Sequence, residues 1–190
     1  CVVLMEVQTG AVKAIANLTL GKDGSYYESY NYAVGESTEP GSTFKLASLM
    51  AAMEDGFIDN TDSIDTKNGV YRFYDQKMYD SHEGGFGKIT VQRAFEVSSN
   101  IAVARIINEN YSNNPQAFID RLYKMNLNRP LGLEIYGEGK PNIKSANDPS
   151  WSGISLPWIS HGYEVSLTPM QILAFYNAVA NDGVLVKPRF

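Results

Sequence analysis

The chain has one cysteine, Cys1, in 190 residues, so it can close no internal disulfide and build no cysteine-rich metal site. Histidine is almost as scarce. His82 stands in Asp80-Ser81-His82-Glu83, where the spacing suits no metal and no cysteine is near, and His161 lies far along the chain. No apolar run approaches the roughly 18 residues of a membrane-spanning helix. A basic excess is also missing: 16 Lys and Arg against 21 Asp and Glu give a net charge of -5, so no polycationic face offers itself to nucleic acid. No charged segment followed by a short apolar stretch marks a leader peptide, and the opening Cys1-Val2-Val3-Leu4-Met5-Glu6 already reads as a strand. There is no Gly-x-Ser-x-Gly elbow, so a Ser-His-Asp reading of His161 or His82 has little to stand on, and hydrogen bonding in a loop is the reading for His161. Internal repeats and low-complexity tracts are absent, and nothing implies a cofactor.

What is present suits one sizeable globular domain, with 44% hydrophobic residues. Residues 2–7 and 11–17 are apolar runs around Gln8-Thr9-Gly10, which predicts a hairpin. A polar loop is expected from Gly21 to Glu39. A helix, apolar on most sides and so buried, is expected from Ser42 to Asp55, stopped by Gly56. Loops and short strands fill 60–88. Thr90 can cap a helix through Val97, a second helix runs from Asn100 to about Asn110, and Pro115 starts a third through about Met125. Residues 128–162 read as loop, with Glu134 to Lys140 solvated; Trp151, Trp158 and the many tyrosines read by default as core and loop packing, with a saccharide groove as the alternative. Thr168-Pro169-Met170-Gln171 carries a cap, a first-turn proline and a capping-box glutamine for a helix to about Asn181. The last residues, Val184 to Phe190, read as a strand or its approach. The pattern predicts an α+β layer fold, helices packed on an antiparallel sheet. Both ends read as cut from a larger domain, with the last strands missing.

The chemistry concentrates in Ser42-Thr43-Phe44-Lys45, which follows Glu39-Pro40-Gly41 and opens the buried helix. A serine and a lysine three residues apart at a helix start place a hydroxyl beside an amine, the minimum for a serine nucleophile. A serine cap followed by a solvated lysine would explain that pattern alone. Burial of the helix argues for more, because desolvation and the positive helix end both lower a lysine pKa and make it a usable base. The second element, Ser98-Ser99-Asn100, falls at a junction of two expected helices, where side chains can project into a cleft.

Ser-x-x-Lys and Ser-x-Asn in this order belong to the motif set of serine β-lactamases and penicillin-binding proteins, whose third element, Lys-Thr/Ser-Gly, does not occur in these residues. The segments Glu39 to Lys45, Thr90 to Asn100, and His161 to Gln171 with Ala180 to Val184 resemble class B penicillin-binding proteins, most of all division-type transpeptidases. The opening Val3 to Val12 resembles the first hairpin of their transpeptidase domain. The resemblance spans nearly the whole chain in the family's order, making residues 1–190 a partial transpeptidase domain of β-lactamase/penicillin-binding-protein-like fold.

It implies a D,D-transpeptidase cross-linking peptidoglycan stem peptides that end in D-Ala-D-Ala, and trapped by β-lactam antibiotics. Ser42 would be acylated, Lys45 would take its proton, Ser98 would relay a proton to the leaving amine, and Asn100 would hold the substrate amide and orient Lys45. The Ser42 N–H would be one oxyanion donor, the other lying on the third-motif strand. The isolated segment is therefore expected to be inactive or poorly folded. The resemblance also implies cell-division or elongation partners and the extracytoplasmic face of the bacterial inner membrane, with an anchor upstream. Two alternatives share the serine and lysine: a serine β-lactamase or β-lactam-sensing domain, which steady penicillin hydrolysis would favour, and a degenerate cell-envelope binding module, whose function would survive Ser42→Ala.

Overall fold

A computed structural model describes residues 1–190. In chain order the elements are β1 (Val2–Met5), β2 (Val12–Ala16), β3 (Thr19–Leu20), β4 (Tyr26–Tyr27), α1 (Tyr32–Gly35), a 3₁₀ turn (Gly41–Phe44), α2 (Lys45–Glu54), β5 (Ser63–Asp65), β6 (Val70–Phe73), β7 (Gln76–Tyr79), β8 (Lys88–Thr90), α3 (Val91–Glu96), α4 (Asn100–Tyr111), α5 (Pro115–Lys124), β9 (Asn142–Ile143), α6 (Ser155–Ile159), β10 (Val165–Ser166) and α7 (Pro169–Ala180). No helix is long and apolar enough to cross a membrane. The expected α+β class holds, and the strands form two-stranded ladders. The residues divide into two compact units.

The first unit comprises Cys1–Pro40, Asn126–Asn142 and Ser166–Phe190. Its hairpin pairs β1 with β2 antiparallel, Val3 opposite Ile15 and Leu4 opposite Ala14, with a bulge between Leu4 and Met5. The Thr168 side chain accepts from Gln171 N while the Gln171 amide oxygen accepts from Thr168 N at 2.9 Å, completing the predicted capping box of α7. One-turn α1 packs against α7, burying Val34, Met170 and Ala174. The expected loop at 21–39 thus holds β4 and α1, both too short to show a hydrophobic period. Val184 to Phe190 makes only an isolated bridge, Arg189 with Ala11, in place of a strand. Pro188, next to that bridge, has no N–H to extend a ladder.

The second unit comprises Gly41–Met125 and Ile143–Val165. Its centre is α4, where Ile101, Ala102, Val103, Ala104, Ile106, Ile107 and Tyr111 are all buried, each large aliphatic side chain contributing about 1.5–3 kcal/mol by leaving water. Helices α2, α3, α5 and α6 pack on it, and Phe73 and Met78 of the β6–β7 hairpin join Ile101 and Ala104 in one cluster. The predicted Thr90 cap holds, accepting from Arg93 N, and Pro115 opens α5 as expected; Ser99, accepting from Ala102 N, supplies a cap for α4 that the sequence reading does not name. Gly56, at φ +72°, lies just past the end of α2 and sends its N–H back to the Met53 carbonyl. The expected loop 128–162 is corrected by two short elements. It holds the two-residue β9 and helix α6, the latter hidden because it is five residues long and carries Pro157, which reads as a breaker.

Candidate active site

The helix predicted from Ser42 begins differently. Gly41 to Phe44 form a 3₁₀ turn, and α-helical geometry starts at Lys45. The tighter turn places Ser42 and Thr43 at the surface while Phe44 and Lys45 point inward. Two bonds fix this turn from the segment after α6: Gly41 N donates to the Gly162 carbonyl at 3.0 Å, and Ser48 Oγ donates to the Ser160 carbonyl at 2.7 Å. Gly162 has φ +90°, and a Cβ there would overlap the Gly41 carbonyl, so only glycine permits this approach.

Lys45 is the largest side chain in the protein that is fully buried, at 1% exposure. Its Nζ is within hydrogen-bond distance of three oxygens: Ser42 Oγ at 3.1 Å, Ser98 Oγ at 2.9 Å and the Ser98 carbonyl at 2.5 Å. A protonated amine donates to all three. After losing one proton it keeps two donors for the Ser98 oxygens, and its lone pair is left facing Ser42 Oγ. Burial pushes the Lys45 pKa down from 10.5 to about 8, with the Asp80 charge acting in the opposite direction. The partial desolvation expected from the sequence is therefore present, and it is nearly complete.

Ser98 reaches Lys45 with both its carbonyl and its hydroxyl because it occupies the left-handed region, φ +55°, between α3 and α4. That conformation costs an L-residue about 1–2 kcal/mol. The neighbouring hydrogen bonds hold it in place: Ser99 N donates to the Ala94 carbonyl at 2.9 Å, and the Ser99 side chain caps α4. Ser42 and Ser98 are both exposed while Lys45 lies beneath them, so two hydroxyls are open to a substrate and the amine between them is shielded from water.

Asn100 stands at the head of α4, beside Ser98, but its side-chain amide donates to the Tyr79 carbonyl at 2.9 Å. The expected part of Asn100 in orienting Lys45 is taken by Ser98. The sequence reading missed Asp80, which it weighed only as a metal ligand. Asp80 accepts from Ser99 Oγ at 3.0 and 2.9 Å and from Ile101 N at 3.1 Å, so it binds the N-terminus of α4, and its charge bears on Lys45. Asp80 lies 18 residues upstream of Ser98, and only the β6–β7 hairpin brings it there.

His161 is buried, with Nδ1 3.0 and 2.9 Å from the Pro157 and Trp158 carbonyls. Carbonyls only accept, so Nδ1 carries the proton. Burial, then the Lys45 charge, lowers the His161 pKa to about 4. A neutral ring held this way is a structural hydrogen-bond donor, as the sequence suggested, and a weak base.

A buried amine shared between two exposed serine hydroxyls is an arrangement that can support serine acyl transfer. The sequence matches, over residues 1–190, the family described as penicillin binding protein transpeptidase domain; the chain belongs to that family. It is 28% identical over 194 residues to penicillin-binding protein PbpB of Mycobacterium tuberculosis, covering 98% of this chain and 28% of that protein. It is 26% identical over 187 residues to the peptidoglycan D,D-transpeptidase FtsI of Escherichia coli K12, covering 96% and 30%. Among solved structures it resembles penicillin-binding protein 3 of Mycobacterium tuberculosis complexed with ampicillin, with a TM-score of 0.81 and 28% identity over 98% of this chain and 41% of that one. A peptidoglycan glycosyltransferase from Burkholderia ambifaria shares the fold, with a TM-score of 0.83 at 23% identity, over 98% of this chain and 54% of that one. The chain spans about three tenths of the length of the curated relatives it matches.

Proposed function

We propose that this domain is the acyl-transfer part of a peptidoglycan D,D-transpeptidase, with Ser42 as nucleophile, Lys45 as its base, and Ser98 and Asn100 at the substrate. The observation that carries the reading is the buried Lys45 amine held between Ser42 Oγ and Ser98 Oγ. Neutral Lys45 takes the Ser42 proton as Oγ attacks the carbonyl of the penultimate D-Ala. The tetrahedral oxyanion faces the Ser42 N–H at the start of the 3₁₀ turn, where first-turn N–H groups have no helical partner. Protonated Lys45 then passes a proton through Ser98 Oγ, 2.9 Å away, to the departing D-Ala amine. The acyl-enzyme is resolved by an amine of a second stem peptide, with the same relay run in reverse. Asn100 sits where its amide can bind the substrate once the Tyr79 carbonyl is released. A β-lactam enters as a cyclic acyl donor whose leaving group stays attached, so it blocks the second step.

Affinity for β-lactams is supported by the ampicillin complex of the structural relative. The names of the relatives support peptidoglycan as substrate and the division or elongation machinery as partner. Such a substrate supports an extracytoplasmic location for the domain.

Labelling by a fluorescent penicillin tests the reading. The full-length gene product should take up one label that persists, and Ser42→Ala should take up none. Labelling of Ser42→Ala would refute the assignment. Steady penicillin hydrolysis would make the protein a β-lactamase, and loss of labelling with biological function intact would make it a binding module.

A further inference from the structure

The second unit carries a cavity of about 320 Å³ whose residues the acylation site does not use. It is formed by Tyr74, Asn108, Ser112, Trp151, Ser152 and Gly153, with apolar backing from α6. Its volume lies at the small end of the range for ligand sites, room for one or two sugar rings. The lining is aromatic and neutral-polar, without a single charged side chain, which disfavours phosphates, carboxylates and ammonium groups. The polar groups of Trp151, Tyr74, Asn108 and Ser112 are also unspent: the indole N–H, the phenol, the amide and the hydroxyl make no side-chain hydrogen bond within the chain.

The walls are held open. Tyr74 sits at the tip of the β6–β7 hairpin in the left-handed region, φ +52°, 65% exposed, and its ring lies over Gly153, where a Cβ would meet three ring carbons at 3.3 Å. Lys144 Nζ stands 6.0 Å from the Trp151 ring centroid and is itself tied to the Ser150 carbonyl and Glu164, which fixes the indole. Asn108 and Ser112 are four residues apart on α4 and its cap, so they share one face.

Two aromatic surfaces with uncharged donors and acceptors between them suit a ligand with apolar ring faces and a rim of hydroxyls. The free amide of Asn108 has one donor side and one acceptor side, the complement of an acetamido group. We propose that this cavity is a subsite for an N-acetylated sugar of the glycan strand. The identity of the glycan rests on the transpeptidase reading, whereas the neutral saccharide chemistry rests on the cavity alone. The spacing agrees with that reading. From Asn100 to Asn108 the rise along α4 is about 12 Å, and four extended peptide residues span about 13 Å. A sugar bound in the cavity could therefore carry a stem peptide that reaches the head of α4.

Calorimetric titration of the full-length protein with tetra-N-acetylchitotetraose tests the site, with fluorescent-penicillin labelling of every variant as the control for folding. The wild type should bind saturably. Trp151→Ala and Asn108→Leu should weaken binding at least tenfold while penicillin labelling stays within twofold, and Gly153→Val, which pushes the Tyr74 ring aside, should do the same. Absence of binding by a wild type that labels with penicillin overturns the sugar site alone, as does unchanged binding by Trp151→Ala and Asn108→Leu. Saccharide binding by a protein that does not label overturns the transpeptidase reading and leaves the cavity's chemistry standing.

Discussion

If Lys45 is the base, acylation should follow its titration, and the structure sets the midpoint. The perturbation is pH. With the Lys45 pKa lowered to about 8 by burial, about a tenth of the amine is neutral at pH 7 and about nine tenths at pH 9. The rate constant for penicillin acylation of the full-length protein, measured by rapid quench between pH 6 and 10.5, should rise about tenfold from pH 7 to 9 and then level off. An unburied lysine, with a pKa of about 10.4, would give a rate still climbing about sevenfold from pH 9 to 10, and that profile, or a flat one, would refute the argument. The same burial has a stability consequence with a definite sign. Between pH 8 and 10.5 the folded protein holds fewer protons at Lys45 than the unfolded chain, so stability from this group rises with pH across that window. The fall from 10.5 to about 8 corresponds to about 3 kcal/mol, the penalty carried at neutral pH. Lys45→Met removes that penalty and fills much the same volume. It should abolish labelling while melting at the wild-type temperature or above, an outcome that separates lost chemistry from lost folding.

Asp80→Asn removes the charge that raises the Lys45 pKa, so the acylation midpoint should move below that of the wild type, with about 1 kcal/mol lost from weaker binding of the α4 N-terminus, read by urea denaturation. Gly162→Ala should cut acylation at least tenfold by displacing Gly41; unchanged acylation would show that the turn before Ser42 is not set by that contact. Asp55→Asn should destabilise the second unit by about 1–3 kcal/mol in urea unfolding, because Asp55 accepts from Tyr111 Oη at 2.6 Å and Arg121 Nε at 2.7 Å. The Arg121 bond holds the Asp55 pKa below its ordinary 3.8, so this contribution is present above pH 4 and is lost as pH falls below it.

The legible parts of this protein are those whose cause is local. Thr90, Pro115 and the Thr168–Gln171 box each act within four residues, and the helices they begin are found in place, whereas the helix expected from Ser42 starts only at Lys45. The hairpin at Gly10 is local too. Tertiary context decides the remainder. The 3₁₀ start at Gly41 is imposed by the Gly162 carbonyl, more than a hundred residues on. The left-handed Ser98 is allowed because both neighbouring helices fix it, and nothing in Val97-Ser98-Ser99 announces it. Asp80 stayed hidden because its partners are reached through a hairpin and not along a helix, and nothing local places the Asn100 amide on the Tyr79 carbonyl.

The depth of Lys45 also has a consequence for chemical labelling. A lysine with a pKa near 8 is ordinarily the first amine that a general acylating reagent modifies, since its lone pair is available at neutral pH. Here the same burial that lowers the pKa leaves 1% of the residue accessible. Reactivity and accessibility are therefore inverted: the surface lysines react with bulk reagents first, and Lys45 is open only to an electrophile delivered through Ser42 or small enough to follow the two hydroxyls inward. A covalent probe for this amine would have to arrive as a substrate does.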